Sequence, residues 1–307
     1  MDTFLTILTD IIIVFTLPLH CRYLYVMLKK EAQLFSLEFA FRATLTNIIV
    51  ANIIYSIVFI LIREPASYGF FFDFYKTQSW WLGKIVIMQS VPIAMVTLIF
   101  HVFIALNRLS AVVYPMGHAM LWSESRVRNI IFGIWILTVL ECIPLIYPFE
   151  GSYYNFSSPF GSEGVTLGVS GNLPNLIYQT VTMGIGGLLE IFITFLYVFI
   201  GYRLSRLKNL SRSTISTSIS AVLVSTGGFV IVVVYLPHLL YTRITGGPFW
   251  SYELFNALFK LAFAYNNAIA PWVMLLYYRN IRRLIIGKAI EISPRNVTVS
   301  VPTVSAR

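Results

Sequence analysis

The chain has 307 residues, of which 57% are hydrophobic and only 11% charged, and its formal net charge is +9. Soluble proteins carry about 25% charged residues. The single hydrophobic core of a soluble protein of this length could not bury so much apolar surface away from water. A soluble globular protein is therefore excluded and a membrane protein is predicted. Nucleic-acid binding is not expected, because the basic residues flank apolar segments, where anionic lipid headgroups attract them.

Seven apolar stretches account for most of the chain. Each is long enough to cross a hydrocarbon layer about 30 Å thick at a rise of about 1.5 Å per residue. They cover residues 4–27, 37–62, 84–107, 129–149, 176–202, 215–241 and 254–278. Most of the 22 basic residues fall in alternate gaps and in the carboxyl-terminal segment, and basic loops stay on the cytoplasmic side. The pattern predicts an all-α membrane protein, a seven-transmembrane helix bundle with its amino terminus outside and its carboxyl terminus inside.

One membrane domain, residues 1–290, is expected, followed by a short cytoplasmic tail, residues 291–307. Residues 279–290 are basic and amphipathic, which predicts a short helix on the inner membrane surface after the seventh span. The outer loop of residues 150–175 contains the sequon at Asn155, a predicted glycosylation site. We expect neither a cofactor nor a metal-dependent enzyme, because the four histidines show no helical i, i+3 or i, i+4 pairing of metal ligands.

The most specific motif lies at the inner end of the third predicted span, where Asn107 and Arg108 are followed by Pro115. An arginine at the cytoplasmic end of a helix can bind neighbouring helices in a closed state, and an intracellular partner after those helices separate. Alone, the same arginine could simply extend to the membrane boundary beside a proline that bends a loop. Its position and the following proline favour a conformational switch.

Polar and helix-bending residues occur in three other spans at positions that support a switch. A proline inside a helix bends it and frees a backbone carbonyl that a neighbouring asparagine can satisfy. The residues concerned are Asn52 in the second span, Tyr235 and Pro237 in the sixth, and Asn266, Asn267 and Pro271 in the seventh.

Residues 107–115 resemble the Asp-Arg-Tyr…Pro element of rhodopsin-like G-protein-coupled receptors, with departures. Asn107 replaces the acidic residue, and Gly83 stands where such receptors have the helix-three cysteine of an outer disulfide. Residues 106–115 are more similar to the Leu-Asn-Arg signature of the nematode serpentine chemoreceptors of the Srg superfamily. Within that superfamily the pattern favours an Srv-like over an Srg-like receptor.

This resemblance implies a rhodopsin-like topology and a G-protein-coupled chemosensory receptor in the plasma membrane of sensory-neuron cilia. A small-molecule ligand would bind in the outer half of the bundle and a heterotrimeric G protein at the inner face. Because Asn107 supplies no acid beside Arg108, we expect a weakly locked closed state with ligand-free signalling, which Asn107→Asp should reduce.

Five polar residues in the spans are candidates for ligand contact: Lys260, Glu190, Glu141, His238 and Gln89. Charge in the hydrocarbon layer is costly, so an ionisable residue there often serves a site or pairs with another. Each also has a structural alternative. Lys260 could pair with Asp10 as a tether between helices seven and one, and the two glutamates could stay protonated within helix packing. His101 is expected below the ligand pocket, as a packing or switch residue.

The alternative function is a secondary transporter, proton-coupled through Glu141 and Glu190. Transporters are usually built from two repeated halves with broken helices. The chain shows no internal repeat, so the receptor interpretation is preferred.

Overall fold

The computed structural model describes residues 2–28, 38–146, 150–157, 163–169, 173–206, 212–247 and 249–278, together with residues 282, 283 and 285. The tail of residues 291–307 and most of the predicted surface helix of residues 279–290 lie outside the described residues. The inner loop of residues 207–211 lies outside them as well.

Seven long helices form a bundle and are named helix one to helix seven in chain order. Their bounds are Asp2–Leu28, Phe39–Ser67, Ser79–Ser90 continued by Pro92–Val113, Glu124–Ile146, Leu173–Arg206, Arg212–Thr245 and Tyr252–Tyr277. Within helix two, a π-helical turn, Phe59–Arg63, joins the regular part to a last α-helical turn, Glu64–Ser67. Two short helices, Phe72–Thr77 and Pro115–Leu121, lie in the connections.

Helices one to six each contain a stretch that is long and apolar enough to cross a membrane. Helix seven has 26 residues, or about 39 Å at a rise of about 1.5 Å per residue, but Lys260, Asn266 and Asn267 make it more polar. These three side chains are buried, because helix seven packs against helices six and one. Its polar groups therefore face protein rather than lipid, as a membrane bundle requires. The chain is a helical membrane bundle.

Helix two is longer than the sequence pattern predicted. The predicted span ended at residue 62, which left Glu64 in an outer loop. The observed helix continues through its π-helical turn to Ser67, and Glu64 is only 6% exposed. A carboxyl group therefore lies inside the outer end of the bundle.

Helix three is also longer than predicted, and it is interrupted. Its two parts meet at Val91, because Pro92 has no N–H to donate to the preceding turn. The second part continues to Val113, beyond the predicted end at residue 107. Arg108 therefore lies within the helix, with more than a turn of helix after it.

The largest apolar cluster joins helices one, two, three, four, six and seven in the inner half of the bundle. Its largest fully buried side chains are Tyr23, Phe41, Leu45, Ile48, Ile49, Phe100 and Ile104. In lipid, helices associate mainly through van der Waals packing of such surfaces. This cluster fixes the inner ends of the helices around Arg108.

A β-hairpin occupies the outer loop that the sequence pattern left without secondary structure. Strand β1, Gly151–Ser157, pairs antiparallel with strand β2, Glu163–Val169. Val165 and Leu167 of β2 are buried in an apolar cluster that includes Leu82 of helix three. The hairpin therefore covers the outer ends of helices two and three.

Two glycines, Gly83 on helix three and Gly151 on β1, allow the hairpin to approach helix three closely. A Cβ atom on Gly83 would lie 1.9 Å from the carbonyl oxygen of Gly168, and one on Gly151 would lie 2.3 Å from that of Ser79. Any side chain at these positions would push the hairpin away from the helix. By the resemblance to rhodopsin-like receptors, Gly83 is the position of the disulfide cysteine, so a backbone contact is found where those receptors have a covalent bond.

Candidate functional site

Arg108 is bound to an acidic residue that the motif did not reveal. Its Nη2 atom donates to Oε2 of Glu38 at 2.7 Å, and Nδ2 of Asn107 donates to the other carboxylate oxygen at 2.7 Å. Glu38 precedes helix two, and its side chain makes no capping hydrogen bond to that helix. The expected weak closed state depended on the lack of an acid beside Arg108. The structure supplies that acid from the residue that precedes helix two.

The short helix that begins at Pro115 completes this inner-face cluster. Its His118 places Nε2 2.7 Å from Oε1 of Glu38 and Nδ1 2.9 Å from Oγ of Ser110. The guanidinium of Arg108 also lies 5.0 Å from the ring centroid of Phe41 on helix two. Helix three, helix two and the second inner connection therefore meet at the carboxylate of Glu38.

A second polar group, at mid-depth, joins helices one, two and seven. Nδ2 of Asn267 donates to the carbonyl oxygen of Asn52 at 3.0 Å and to Oγ of Ser56 at 3.1 Å. Nδ2 of Asn52 donates back to the carbonyl oxygen of Asn267 at 3.2 Å, and Nε2 of His20 lies 2.9 Å from Oδ1 of Asn267. The structure thus brings together two predicted switch residues, Asn52 and Asn267, one turn before Pro271. It adds His20 and Ser56.

A narrow cavity of about 40 Å³ lies among helices three, five, six and seven. Its walls are mostly apolar, and its polar side chains are Thr97, His101, Tyr235 and Asn266. Within the described part of the chain, Nδ1 of His101 and Oδ1 of Asn266 are buried without a hydrogen-bond partner. Mostly apolar walls with a few convergent polar atoms are typical of small-molecule sites, but such sites usually have volumes of about 300–1,000 Å³. A ligand therefore fits here only when the helices move apart. His101, expected below the ligand pocket, lines this cavity.

Two adjacent glycines of helix six admit polar side chains from both neighbouring helices. A Cβ atom on Gly227 would lie 2.4 Å from Oδ1 of Asn266, and one on Gly228 would lie 1.9 Å from Oε1 of Glu190. Pro237 lies within the same helix, farther toward the outer side. Helix six therefore combines a close contact at the cavity with a proline, at which helices commonly bend.

Lys260 pairs with Glu64, not with Asp10. Its Nζ atom donates to Oε1 of Glu64 at 2.8 Å, and Ser67 donates to Oε2 at 3.0 Å. Asp10 instead accepts a hydrogen bond from Tyr68. Burial and that contact raise the pKa of the Tyr68 hydroxyl well above its ordinary value, so the hydroxyl remains a donor. Lys260 thus links helix seven to helix two, and not to helix one as expected, while Asp10 links helix one to Tyr68 at the end of helix two.

The remaining ligand candidates lie outside the cavity. Nε2 of Gln89 donates to the carbonyl oxygen of Tyr55 at 2.9 Å. The ring of His238 stacks on Phe255 with centroids 3.9 Å apart. Glu141 on helix four is half-buried and does not line this cavity.

The bundle, with its arginine at the inner end of helix three, defines a serpentine membrane receptor. The model of the Srg family of chemoreceptors matches residues 6–285. The chain belongs to the Srg family. A search of curated proteins finds no match.

Sequence reasoning missed Glu38, Glu64 and His118. Glu38 and Glu64 each lie within two residues of an end of the predicted second span, residues 37–62, where an acid is usually a solvated boundary residue. A search for acids at span ends could have found both as candidates, but it could not have named their partners. His118 follows Pro115 by three residues, which carries no signal in the sequence.

Proposed function

We propose that the protein is a G-protein-coupled chemosensory receptor that binds a small molecule in the central cavity and activates a heterotrimeric G protein at the inner face. The observation that carries this proposal is the closed cluster of Arg108, Asn107, His118 and Glu38. Arg108 is buried at 7% exposure, so it cannot meet an intracellular partner until this cluster opens.

The cavity and the inner cluster share helix three. His101 lines the cavity and lies seven residues before Arg108, which is about two turns or about 10.5 Å along the helix. A ligand that contacts His101 and helix six binds one arrangement of these helices more tightly than the other. Such differential affinity shifts the population toward the open inner face.

Helices five and six are in polar contact on the inner side of the cavity. Oγ of Ser225 on helix six lies 3.3 Å from the hydroxyl of Tyr197 on helix five. Outward motion of helix six would break this contact and open a groove beside Arg108. We therefore assign the moving element to helix six, with Gly227, Gly228 and Pro237 as the positions at which it can deform.

The resemblance to chemoreceptors also supports a proposal about where the protein lies in the cell and which side of the membrane its segments face. A plasma-membrane receptor in sensory cilia, with its amino terminus outside, would present Asn155 to the glycosylation machinery. The side chain of Asn155 is exposed on β1, which suits an acceptor. The tail of residues 291–307 and the surface helix of residues 279–290 would lie on the cytoplasmic side.

The test is G-protein activation in cells that express wild type, Arg108→Ala or Arg126→Ala at equal surface levels. Arg126 is the matched control, because it is also an inner-face arginine but is exposed and donates to the carbonyl oxygen of Met120 rather than to an acid. We expect Arg108→Ala to abolish the signal and Arg126→Ala to preserve it. Full signalling by Arg108→Ala would refute the proposed coupling.

The transporter alternative requires Glu141 and Glu190 on one proton path. Glu190 lines a groove between helices five and six, and Glu141 on helix four is not among the residues that line it, which favours the receptor over a shared proton path. Proton-dependent uptake by the wild type, lost in both Glu141→Gln and Glu190→Gln, would restore that alternative.

A further inference from the structure

Glu190 is a buried carboxylic acid that the proposed switch does not use. It lies on helix five at 2% exposure. Its Oε1 atom is buried with no hydrogen-bond partner among the residues that the structure describes. The carboxyl group lies directly against the backbone of Gly228, where a Cβ atom would come within 1.9 Å of Oε1. A polar group buried in this way is costly unless something binds it.

Glu190 lines a groove between helices five and six that has a volume of about 360 Å³. The other lining residues are Ile193, Thr194, Tyr197, Val198, Val222, Ser225, Thr226 and Phe229. Val198 and Phe229 are 67% and 49% exposed. Both lie within membrane-spanning stretches, where an exposed side chain faces hydrocarbon. The groove therefore opens to the lipid, with Glu190 as its buried acid.

The residues that line the groove indicate which class of ligand it binds. Its lining contains one carboxyl group, four hydroxyl groups and four aliphatic or aromatic side chains, and no basic residue. A carboxylate in an apolar environment is best satisfied by a charged hydrogen-bond donor. A protonated amine supplies that donor, and an alkyl chain would lie along Val198 and Phe229. The volume falls within the range of about 300–1,000 Å³ that is usual for small-molecule sites.

We propose that this groove binds a lipophilic amine that enters from the bilayer, with its ammonium group on Glu190. The inference rests on the proposed receptor function and adds a second binding site to it, because the groove shares no lining residue with the central cavity. The groove also contains the contact between Tyr197 and Ser225. An occupant of the groove therefore changes the spacing of helices five and six. The separation of these two helices is the motion that opens the inner face.

The test is thermal unfolding of the full chain, purified into lipid nanodiscs and titrated with octylamine, 1-octanol or octanoic acid. The variants are Glu190→Gln, which removes the charge, and Thr194→Phe, which fills the groove and leaves Glu190 intact. Glu141→Gln is the matched control, because Glu141 is also an acid within a membrane span but lies outside the groove.

We expect octylamine to stabilise the wild type and Glu141→Gln equally, and to bind Glu190→Gln at least about tenfold more weakly, as expected for loss of a charge-assisted hydrogen bond. Thr194→Phe should lose octylamine binding as well, so the result does not depend on one variant that could fail to fold. Octylamine binding that is unchanged in both groove variants, or 1-octanol binding as tight as that of octylamine, would overturn the proposal.

This measurement needs no G protein, so it separates the two proposals. Octylamine binding that depends on Glu190, in a protein that fails the Arg108→Ala signalling test, would retain the groove and refute the coupling mechanism. Signalling that depends on Arg108, in a protein that binds no octylamine, would retain the receptor and refute the amine site.

Discussion

Helix two has an ion pair at each end, and the two pairs differ in their access to water. Glu38 pairs with Arg108 at the inner end and Glu64 with Lys260 at the outer end, at 2.7 and 2.8 Å. The side chain of Glu38 is 30% exposed to solvent, whereas that of Glu64 is 8% exposed. A pair that water reaches costs little to separate, but a sealed pair leaves an uncompensated charge when it is broken. The inner pair therefore suits a switch and the outer pair a fixed tether.

The residues around the two pairs also favour a switch at the inner end and a fixed tether at the outer end. Asn107 and His118 also contact Glu38, and they lie at the inner face, where an intracellular protein can compete for Arg108. Glu64 is held by Ser67 beneath the outer hairpin. The same chemical pair thus serves two purposes, and the packing around it decides which.

The outer tether should give the largest effect on stability. Lys260→Met or Glu64→Leu leaves one buried charge without its partner, which destabilises a protein by about 3–5 kcal/mol. We expect a large loss of thermal stability and of surface expression for each single variant, measured by unfolding of the purified receptor. The double variant is the control and should recover most of the loss, because no charge remains buried. Single variants as stable as the wild type would show that the pair is not a tether.

The hairpin above that tether should give the next largest effect. Gly83→Ala places a methyl group against the carbonyl oxygen of Gly168, and overpacking of this kind costs about 1–3 kcal/mol. Gly133→Ala on helix four is the matched control, because a Cβ atom there meets nothing within 4 Å. It should be neutral or slightly stabilising. Equal unfolding temperatures for the two variants would contradict the close contact.

At the inner end, the expected effect is on signalling rather than on stability. Glu38→Gln weakens a partly exposed pair by about 1 kcal/mol, which corresponds to about a fivefold rise in ligand-free G-protein activation. Glu124→Gln provides the control, since Glu124 forms an exposed pair with Arg128 on helix four. Basal activity that stays at the wild-type level in Glu38→Gln would exclude Glu38 as the lock.

The smallest effect is expected at Asn107, and its sign is opposite to the one that the motif implied. Asn107→Asp replaces a donor to Glu38 with a second carboxylate, which accepts and repels. We therefore expect ligand-free signalling to rise slightly rather than fall. A decrease in that signal would show that the acid at position 107 binds Arg108 in place of Glu38.

The local parts of the site could be predicted from the sequence, and the pairings could not. Arg108, Pro115, Asn52, Tyr235 and the asparagines of helix seven are recognisable because each lies at a characteristic place within one helix. Their partners lie far away along the chain, with Glu38 70 residues from Arg108 and Asn52 215 residues from Asn267. The ligand candidates show the same limit, because Glu190 lines a cavity while Gln89 and His238 pack against neighbouring groups.

The sequence by itself determined the membrane class, the number of long helices and the motif that indicates a chemoreceptor. These properties follow from hydrocarbon thickness and from the cost of charge in lipid, which act on each segment independently of the others. Tertiary structure alone decided that helix two continues to Ser67, that glycines hold a hairpin on helix three, and that Glu38 and Glu64 receive Arg108 and Lys260. Those outcomes depend on which surfaces meet when the helices pack, and a buried charge pairs with whatever acid that packing brings within reach.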